Sequence, residues 1–451
     1  MNEISSSPNR SYFNNPDLKF LSHLKSVKHD NAYLVGGTVR DILIGRQPVD
    51  IDIVVTGDVE AFSKLLAREI KGVLFSLDHN RGVFRIVSKG ESPFLHYDIS
   101  PLRGGTIFND LALRDFTVDA IAIPLSDLST LIDPYDGEGD ITRKFIRVIG
   151  EKTFDDDPLR LIRAFRLSSA LGFEIEETTL NAIKSRSELL KLPARERIRD
   201  ELFKILSSRG SSKYLYQIKD AGLLNELFPG LPGLNGEALN RGLVILERLE
   251  QLYSSLENLF PNCYFDIKQY LNSSIEEGIQ NSVLLKWLSF YFINNVTGEL
   301  MRNAIKGLRL GNRACKLSLL GVKYGNKFIL DRNVNNVDIN NKREVYKFFK
   351  NTGYDGIGLI LYQIASLTQS GEAHGYSVKN ASESFLWYLH EYSWIRKNRI
   401  ISGDDIKEIL QLTPGPAIKE LLDIIEENRV TGLLSTKEDV YAFLKKLATR
   451  R

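Results

Sequence analysis

The sequence predicts an α+β protein in which a mixed-sheet N-terminal domain precedes an all-α remainder, and three observations carry that reading. Between Tyr33 and Ile149 short runs with β character alternate with helical stretches such as Val59 to Ile70, the pattern of one mixed α/β domain. Beyond Asp157 helical periodicity dominates to the end, punctuated by Gly and Pro clusters at 228–233 and 414–416. At 451 residues the chain is too long for one core, so roughly two to four domains are expected.

In chain order, residues 1–16 are polar and expected to be disordered, and Leu18, Leu21, Leu24 and Val27 recur at the spacing of a packing helix. The mixed domain, residues 17–150, contains β-like runs at 73–75, 83–87, 94–99, 120–124 and 145–148. The helical part divides into a neck (151–210), a body (211–330) and a tail (331–451), with no internal repeat. Hydrophobic content of 43% and charged content of 26% are ordinary for a soluble protein. A net charge of +2 permits nucleic-acid binding without requiring it, so an RNA surface has to come from local clustering. Cys263 and Cys315 are too few for a disulfide framework or a four-cysteine zinc site, which fits a reducing cytosol. The polar N-terminus lacks the apolar core of a secretory signal, and no run is long enough to cross a bilayer, so a cytoplasmic, membrane-free protein is expected.

The chemistry concentrates in Tyr33 to Val55, YLVGGTVRDILIGRQPVDIDIVV. A short apolar run turns on Gly36-Gly37 into a helix from Thr38 to Ile44, and Gly45 suits its end. The glycines let a phosphate approach the backbone at a helix start, where free N–H groups favour an anion. After the loop, Val49 to Ile53 alternates with strand period, so Asp50 and Asp52 share a face. Adjacent carboxylates repel unless a cation sits between them, which makes the pair a ligand for divalent metal. A phosphate cradle ahead of such a pair suggests nucleotide chemistry.

The order Gly-Gly-x-x-Arg-Asp followed by Asp-x-Asp, in LVGGTVRD and GRQPVDIDIVV, resembles the signature of the class II tRNA nucleotidyltransferase and bacterial poly(A) polymerase family. RDFTVDAIAI, DPLRLIRAFRLSSALGFEI, ARERIRDELFKIL and GLLNELFPGL resemble successive motifs of that family, as does the tail from Pro414, while 235–400 matches least. The resemblance implies a mixed-sheet nucleotidyltransferase head of the polymerase beta-like kind followed by an all-α neck, body and tail. It implies extension of tRNA 3′ ends from CTP and ATP with Mg²⁺ held by Asp50 and Asp52. Full CCA addition, CC-only or A-only addition, and poly(A) synthesis share these motifs and stay open. An inert RNA-binding protein on the same scaffold is the reading from another class. No protein partner is implied.

Further candidates follow. Asp98, ending a β-like run, is a candidate third metal carboxylate. Gly37 and Arg40 lie three apart, so Arg40 can point back over the turn toward a triphosphate. Its alternative is a surface arginine paired with Asp41. Arg114 matches the family's arginine before Asp-Phe-Thr, a phosphate or sugar contact; Leu113 and Asp119 stand where the family often has arginine and asparagine. Arg160, Arg163 and Arg166 follow Asp157 at steps of three and form a charged ridge in a helix. This stretch resembles the nucleobase-reading motif Glu-Asp-x-x-Arg, with Asp156 for the glutamate and Asp157 with Arg160 as the template pair. An aspartate accepts from the exocyclic amine of cytosine or adenine while an arginine donates to the ring nitrogen; uracil and guanine present the reverse. Asp157-Pro158 is equally a helix N-cap with proline following. Arg302, Lys306, Arg309, Arg313 and Lys316, and separately Lys342, Arg343, Lys347 and Lys350, are candidate phosphate-tracking clusters.

Overall fold

The computed structural model describes residues 24, 31–88, 95–231, 236–276, 278–325, 342–367 and 372–448, the side chains of 372–376 excepted. The expected disordered start and most of the first helix lie outside the described residues; Leu24 is buried. The chain divides into two compact units, residues 1–208 with 217–227, and residues 209–216 with 228–451.

In the first unit six strands form one sheet in the order β3-β4-β5-β2-β1-β6. They are β1 (Ala32–Val35), β2 (Asp50–Val55), β3 (Val73–Asp78), β4 (Val83–Val87), β5 (His96–Pro101) and β6 (Ala122–Pro124). Only β2 and β5 pair in parallel, so the sheet is mixed, as the sequence predicts. Helix α1 (Gly37–Leu43) connects β1 to β2, and α2 (Val59–Glu69) is capped by Asp58, whose carboxylate accepts from the Ala61 amide at 2.9 Å.

The two faces of the sheet differ because side chains alternate. Ile51, Ile53, Ile86, Tyr97 and Ile99 are fully buried on one face, and α2 packs on β3, β4 and β5 there. On the other face Val54 joins a cluster with Val35, Leu111 and Ala122, beneath α3 (Ile107–Ala112). That cluster ends before Asp50 and Asp52, which lie on the same face as Val54.

The rest of the first unit is helical: α4 (Gly137–Arg143), α5 (Lys152–Asp156), α6 (Arg160–Leu171), α7 (Glu177–Ser185) and α8 (Arg195–Ser207). The expected run at 145–148 is a two-residue strand, Phe145–Ile146, paired in parallel with Glu174–Ile175 outside the main sheet. Helix α6 packs along α8, burying Leu161, Ile162, Phe165 and Leu167 against a face with Ile198, Leu202 and Ile205. Among its described residues the regular structure of the second unit is helical apart from the short antiparallel pair Ser274–Glu276 and Ile279–Gln280. Its centre is the helix Asn281–Phe292, whose Trp287, Tyr291 and Phe290 are fully buried. None of the described helices is long and apolar enough to cross a membrane.

Candidate active site

The turn between β1 and α1 places the first site elements. Gly36 adopts φ 66°, ψ −134°, a conformation that only glycine takes without strain. A Cβ there would lie 2.5 Å from Arg114 Nη1, so the guanidinium sits directly over the glycine. Arg114 is held from below by Asp110, which is fully buried and accepts from Nη2 at 3.0 Å. Burial pushes the Asp110 carboxyl up, but hydrogen bonds from Arg103 and the charge of Arg114 outweigh it and hold its pKa below the usual value. The Gly36→Ala variant is expected to lose about 1–3 kcal/mol from backbone strain. Thermal melting checks this, and the loss should exceed that of strain alone, because the Cβ also displaces Arg114.

A residue the sequence reading missed links this turn to β2. Thr38, buried, donates its hydroxyl to the Asp50 carbonyl at 3.2 Å and accepts from the Asp52 amide at 2.7 Å. Strand β1 pairs with β2 only from Ile53 onward, so this hydroxyl takes the place of a ladder partner beside the two aspartates. A threonine after a glycine pair was the available signal.

Asp50 and Asp52 share a face as expected. Asp50 is exposed, 3.2 Å from His96 Nδ1. Asp52 is recessed, and burial, opposed by Arg114 and reinforced by Asp98, Asp119 and Asp50, pushes its carboxyl up to about 6. Asp98 lies directly beside Asp52 in the parallel register. Both its oxygens, however, accept from Arg85 at 2.7 Å. Among the described residues no group of three or more His, Cys, Asp or Glu side chains is gathered as a metal cage. The expected third carboxylate is therefore in place on the sheet but committed to an arginine.

Arg40 folds back over Gly37 as its spacing predicts, with Nη2 3.2 Å from where a Cβ would stand. Its donors are occupied. Nε and Nη2 go to Asp41 at 3.0 and 2.8 Å, and Nη1 goes to Asp119 at 2.5 Å. The alternative reading, a pair with Asp41, is present in the structure, and Asp119, where the family often has a neutral asparagine, supplies a second carboxylate that sequence reading did not anticipate.

The arginine ridge on α6 is also distributed among partners. Arg160 donates to the carbonyls of Leu113, at 2.9 Å, and Thr153, at 3.3 Å. Arg163 pairs with Asp115 at 3.0 Å. Arg166 lies 2.9 Å from Glu201, close enough for an ion pair though not aligned as a hydrogen bond. Arg163 and Arg166 thus brace the segment after α3 and the helix α8. Asp157 accepts from Arg197 Nη2 at 2.8 Å and, weakly, from the Leu159 amide at 3.2 Å. The expected N-cap with proline at the first helical position does not hold, because α6 begins only at Arg160, with Leu159 as its N-cap and no side-chain cap bond; Asp157 ends α5 and lies half-buried as an ion-pair partner just ahead of α6.

In the second unit Arg302, Lys306 and Lys316 are exposed, while Arg313 forms a bidentate pair with Asp355 at 2.7 and 3.0 Å. The four cations of the cluster at 342–350 are paired with three carboxylates. Lys342 meets Glu391, Arg343 and Lys347 meet Glu427, and Lys350 meets Asp423, because its helix packs on Pro416–Val430. A third basic surface escaped sequence reading. A cavity of about 680 Å³ is lined by Tyr354, Tyr388, Tyr392, Arg396, Lys397 and Arg399. It forms where the helix widens to i→i+5 bonding over Trp387–Tyr392, bringing Tyr388 and Tyr392 to 5.9 Å between ring centroids. Trp394 beside it is 61% exposed. The signal was WIRKNR, a tryptophan among three cations.

The chain is similar to known proteins over most of its length. Residues 32–147 match the family described as poly A polymerase head domain, and 172–234 match the probable RNA and SrmB-binding site of polymerase A. The CC-adding tRNA nucleotidyltransferase of Geobacter sulfurreducens is 31% identical over 92% of this chain and 91% of its own. The A-adding tRNA nucleotidyltransferase of Deinococcus radiodurans is 28% identical over 92% and 95%. A solved complex of a CCA-adding enzyme with CTP superposes with a TM-score of 0.71 at 25% identity, covering 96% of this chain and 97% of that one. With the glycine turn, the aspartate pair and the α6 motif in their expected places, the chain belongs to the family of tRNA nucleotidyltransferases that comprises the CC-adding, A-adding and CCA-adding enzymes.

Proposed function

We propose that this nucleotidyltransferase extends tRNA 3′ ends with C and A from CTP and ATP, and that CCA addition is its activity. The observation that carries this reading is the open patch of sheet where Asp50 and Asp52 stand beside the Gly36–Arg114 turn. The relatives' names support the substrates.

The donor chemistry fits Mg²⁺: two carboxylates alternate on one face, hard oxygen donors of the kind this ion prefers, and Asp52 is crowded by three further negative charges. When bound there, the ion neutralises the triphosphate and lowers the pKa of the attacking 3′ hydroxyl. The chain's own residues do the rest. The amides at the start of α1 and the Arg114 guanidinium receive triphosphate oxygens. Asp157 and Arg160 read the Watson–Crick edge of the base. Thr38 fixes the backbone that carries both aspartates. The cationic tyrosine cavity of the second unit takes part of the tRNA, aromatic faces for bases and arginines for phosphates.

Incorporation of labelled CTP and ATP, separately and together, on tRNA transcripts ending before CCA, after C and after CC tests the reading. Growth of all three to CCA is expected. Extension that stops at CC, or starts only there, makes this half of a split system, and no incorporation overturns the enzymatic reading. For the cavity, the triple variant Arg396→Gln/Lys397→Gln/Arg399→Gln is expected to weaken tRNA binding and to flatten the log–log salt dependence by about 2. KM for CTP should stay unchanged; an unaltered salt slope rules the cavity out.

A further inference from the structure

The two rows of side chains that contain the metal-ligand aspartates continue across the sheet. Register places Asp52, Asp98, Arg85 and Phe75 in line over β2, β5, β4 and β3. The neighbouring row runs Asp50, His96, Val87 and Val73. Directly opposed residues share a face, so Phe75 and Val73 lie on the aspartates' side. They are 49% and 38% exposed on an edge strand, where exposed apolar side chains invite unwanted pairing. On the far side of Asp52 this face is roofed by the cluster of Val35, Val54, Ile107 and Leu111. Among the described residues of this unit, the face opens from the aspartates toward β4 and β3.

We infer that this face is a track for the single-stranded 3′ end of the acceptor RNA, with Phe75 as a stacking platform for one of its last bases. The inference rests on the RNA-extending reading above. Three strand spacings separate Phe75 from Asp52, about 14 Å, a span that a dinucleotide bridges with its terminal hydroxyl at the aspartates. An unpaired 3′ end presents base faces that need an apolar platform, and Phe75 with Val73 supplies it. Between platform and aspartates lies Arg85, whose Nε and Nη2 hold Asp98. Its Nη1 carries no partner among the described residues, which suits the intervening phosphate. Phe75 is thus a positioning residue, acting on the 3′ end rather than on the reacting atoms.

The test uses the full chain and a tRNA transcript ending before CCA whose last or next-to-last base is 2-aminopurine, a fluorophore quenched by stacking. With the wild type and Phe75→Tyr, binding should quench the probe at one of these positions. With Phe75→Leu, which keeps apolar volume without a ring, the quench should be lost and kcat/KM for tRNA should fall about tenfold, with KM for CTP and the melting temperature unchanged. Equal quenching and equal kcat/KM in Phe75→Leu and wild type overturn the inference. So does a wild-type dimer that Phe75→Asp converts to monomer, because the shelf is then an interface between copies. Failure of the wild type to incorporate CTP at all sinks the reading beneath it and is told apart by that control.

Discussion

Replacing Asp52 by asparagine is expected to abolish nucleotide incorporation and, in metal-free buffer above pH 7, to make the protein more stable. The loss should be on the order of 10³-fold or more in kcat/KM, equivalent to about 4 kcal/mol of transition-state stabilisation. The gain follows from burial, which with nearby negative charge raises the Asp52 carboxyl to about 6, against about 3.9 in an unfolded chain. Between these values the folded protein binds the extra proton, so stability falls as pH rises through that window. Above it the ionised carboxylate costs up to about 3 kcal/mol, roughly two pH units at 1.36 kcal/mol each. Melting curves of wild type and Asp52→Asn in chelator at pH 4 and pH 7.5 check this. The variant should melt several degrees higher at pH 7.5 and level with wild type at pH 4. Equal melting at both would mean that Asp52 is well solvated.

The second large effect concerns selectivity. Arg160→Gln is expected to erode discrimination between CTP and UTP by roughly tenfold or more, since a mispaired buried polar group costs about 1–3 kcal/mol. Asp157→Asn should act in the same direction, because its amide can donate to a uracil carbonyl. The two are expected to be non-additive, since on the proposed reading both meet one base edge. Arg197→Ala provides a control. It frees the Asp157 carboxylate from its ion pair without touching a base, so it should shift KM for both nucleotides more than their ratio. Competition between CTP and UTP in single-turnover incorporation gives the ratio directly, and an unchanged ratio in Arg160→Gln would remove the pair from base reading.

What the sequence made legible was local. Val49 to Ile53 announced its alternation, Gly36-Gly37 its turn, and Leu161, Ile162 and Phe165 the buried side of α6, because period and backbone freedom are written within a few residues. Distant partners were not. Arg85 meets Asp98 through antiparallel pairing of β4 with β5, and Asp119 reaches Arg40 across 79 positions; neither contact leaves a trace in spacing. The same gap explains the arginine ridge. Steps of three on α6 correctly forecast a line of charge, but Asp115 and Glu201, which absorb it, come from elements that only the fold brings near. The ion pairs of the 342–350 cluster were hidden for the same reason: Glu391, Asp423 and Glu427 lie tens of residues downstream.

The Thr38 hydroxyl, bonded to the backbone on both sides of Ile51, makes a lever of what otherwise are two separate binding elements. The start of α1, proposed above to receive the triphosphate, is thereby tied to the strand that carries the two aspartates proposed to hold the cation. Whatever coupling this tie gives between the two ligands would be reciprocal, each changing the other's affinity by the same factor. Thr38→Val, which keeps the volume without the hydroxyl, is expected to reduce that factor, read as the dependence of the CTP dissociation constant on Mg²⁺ concentration.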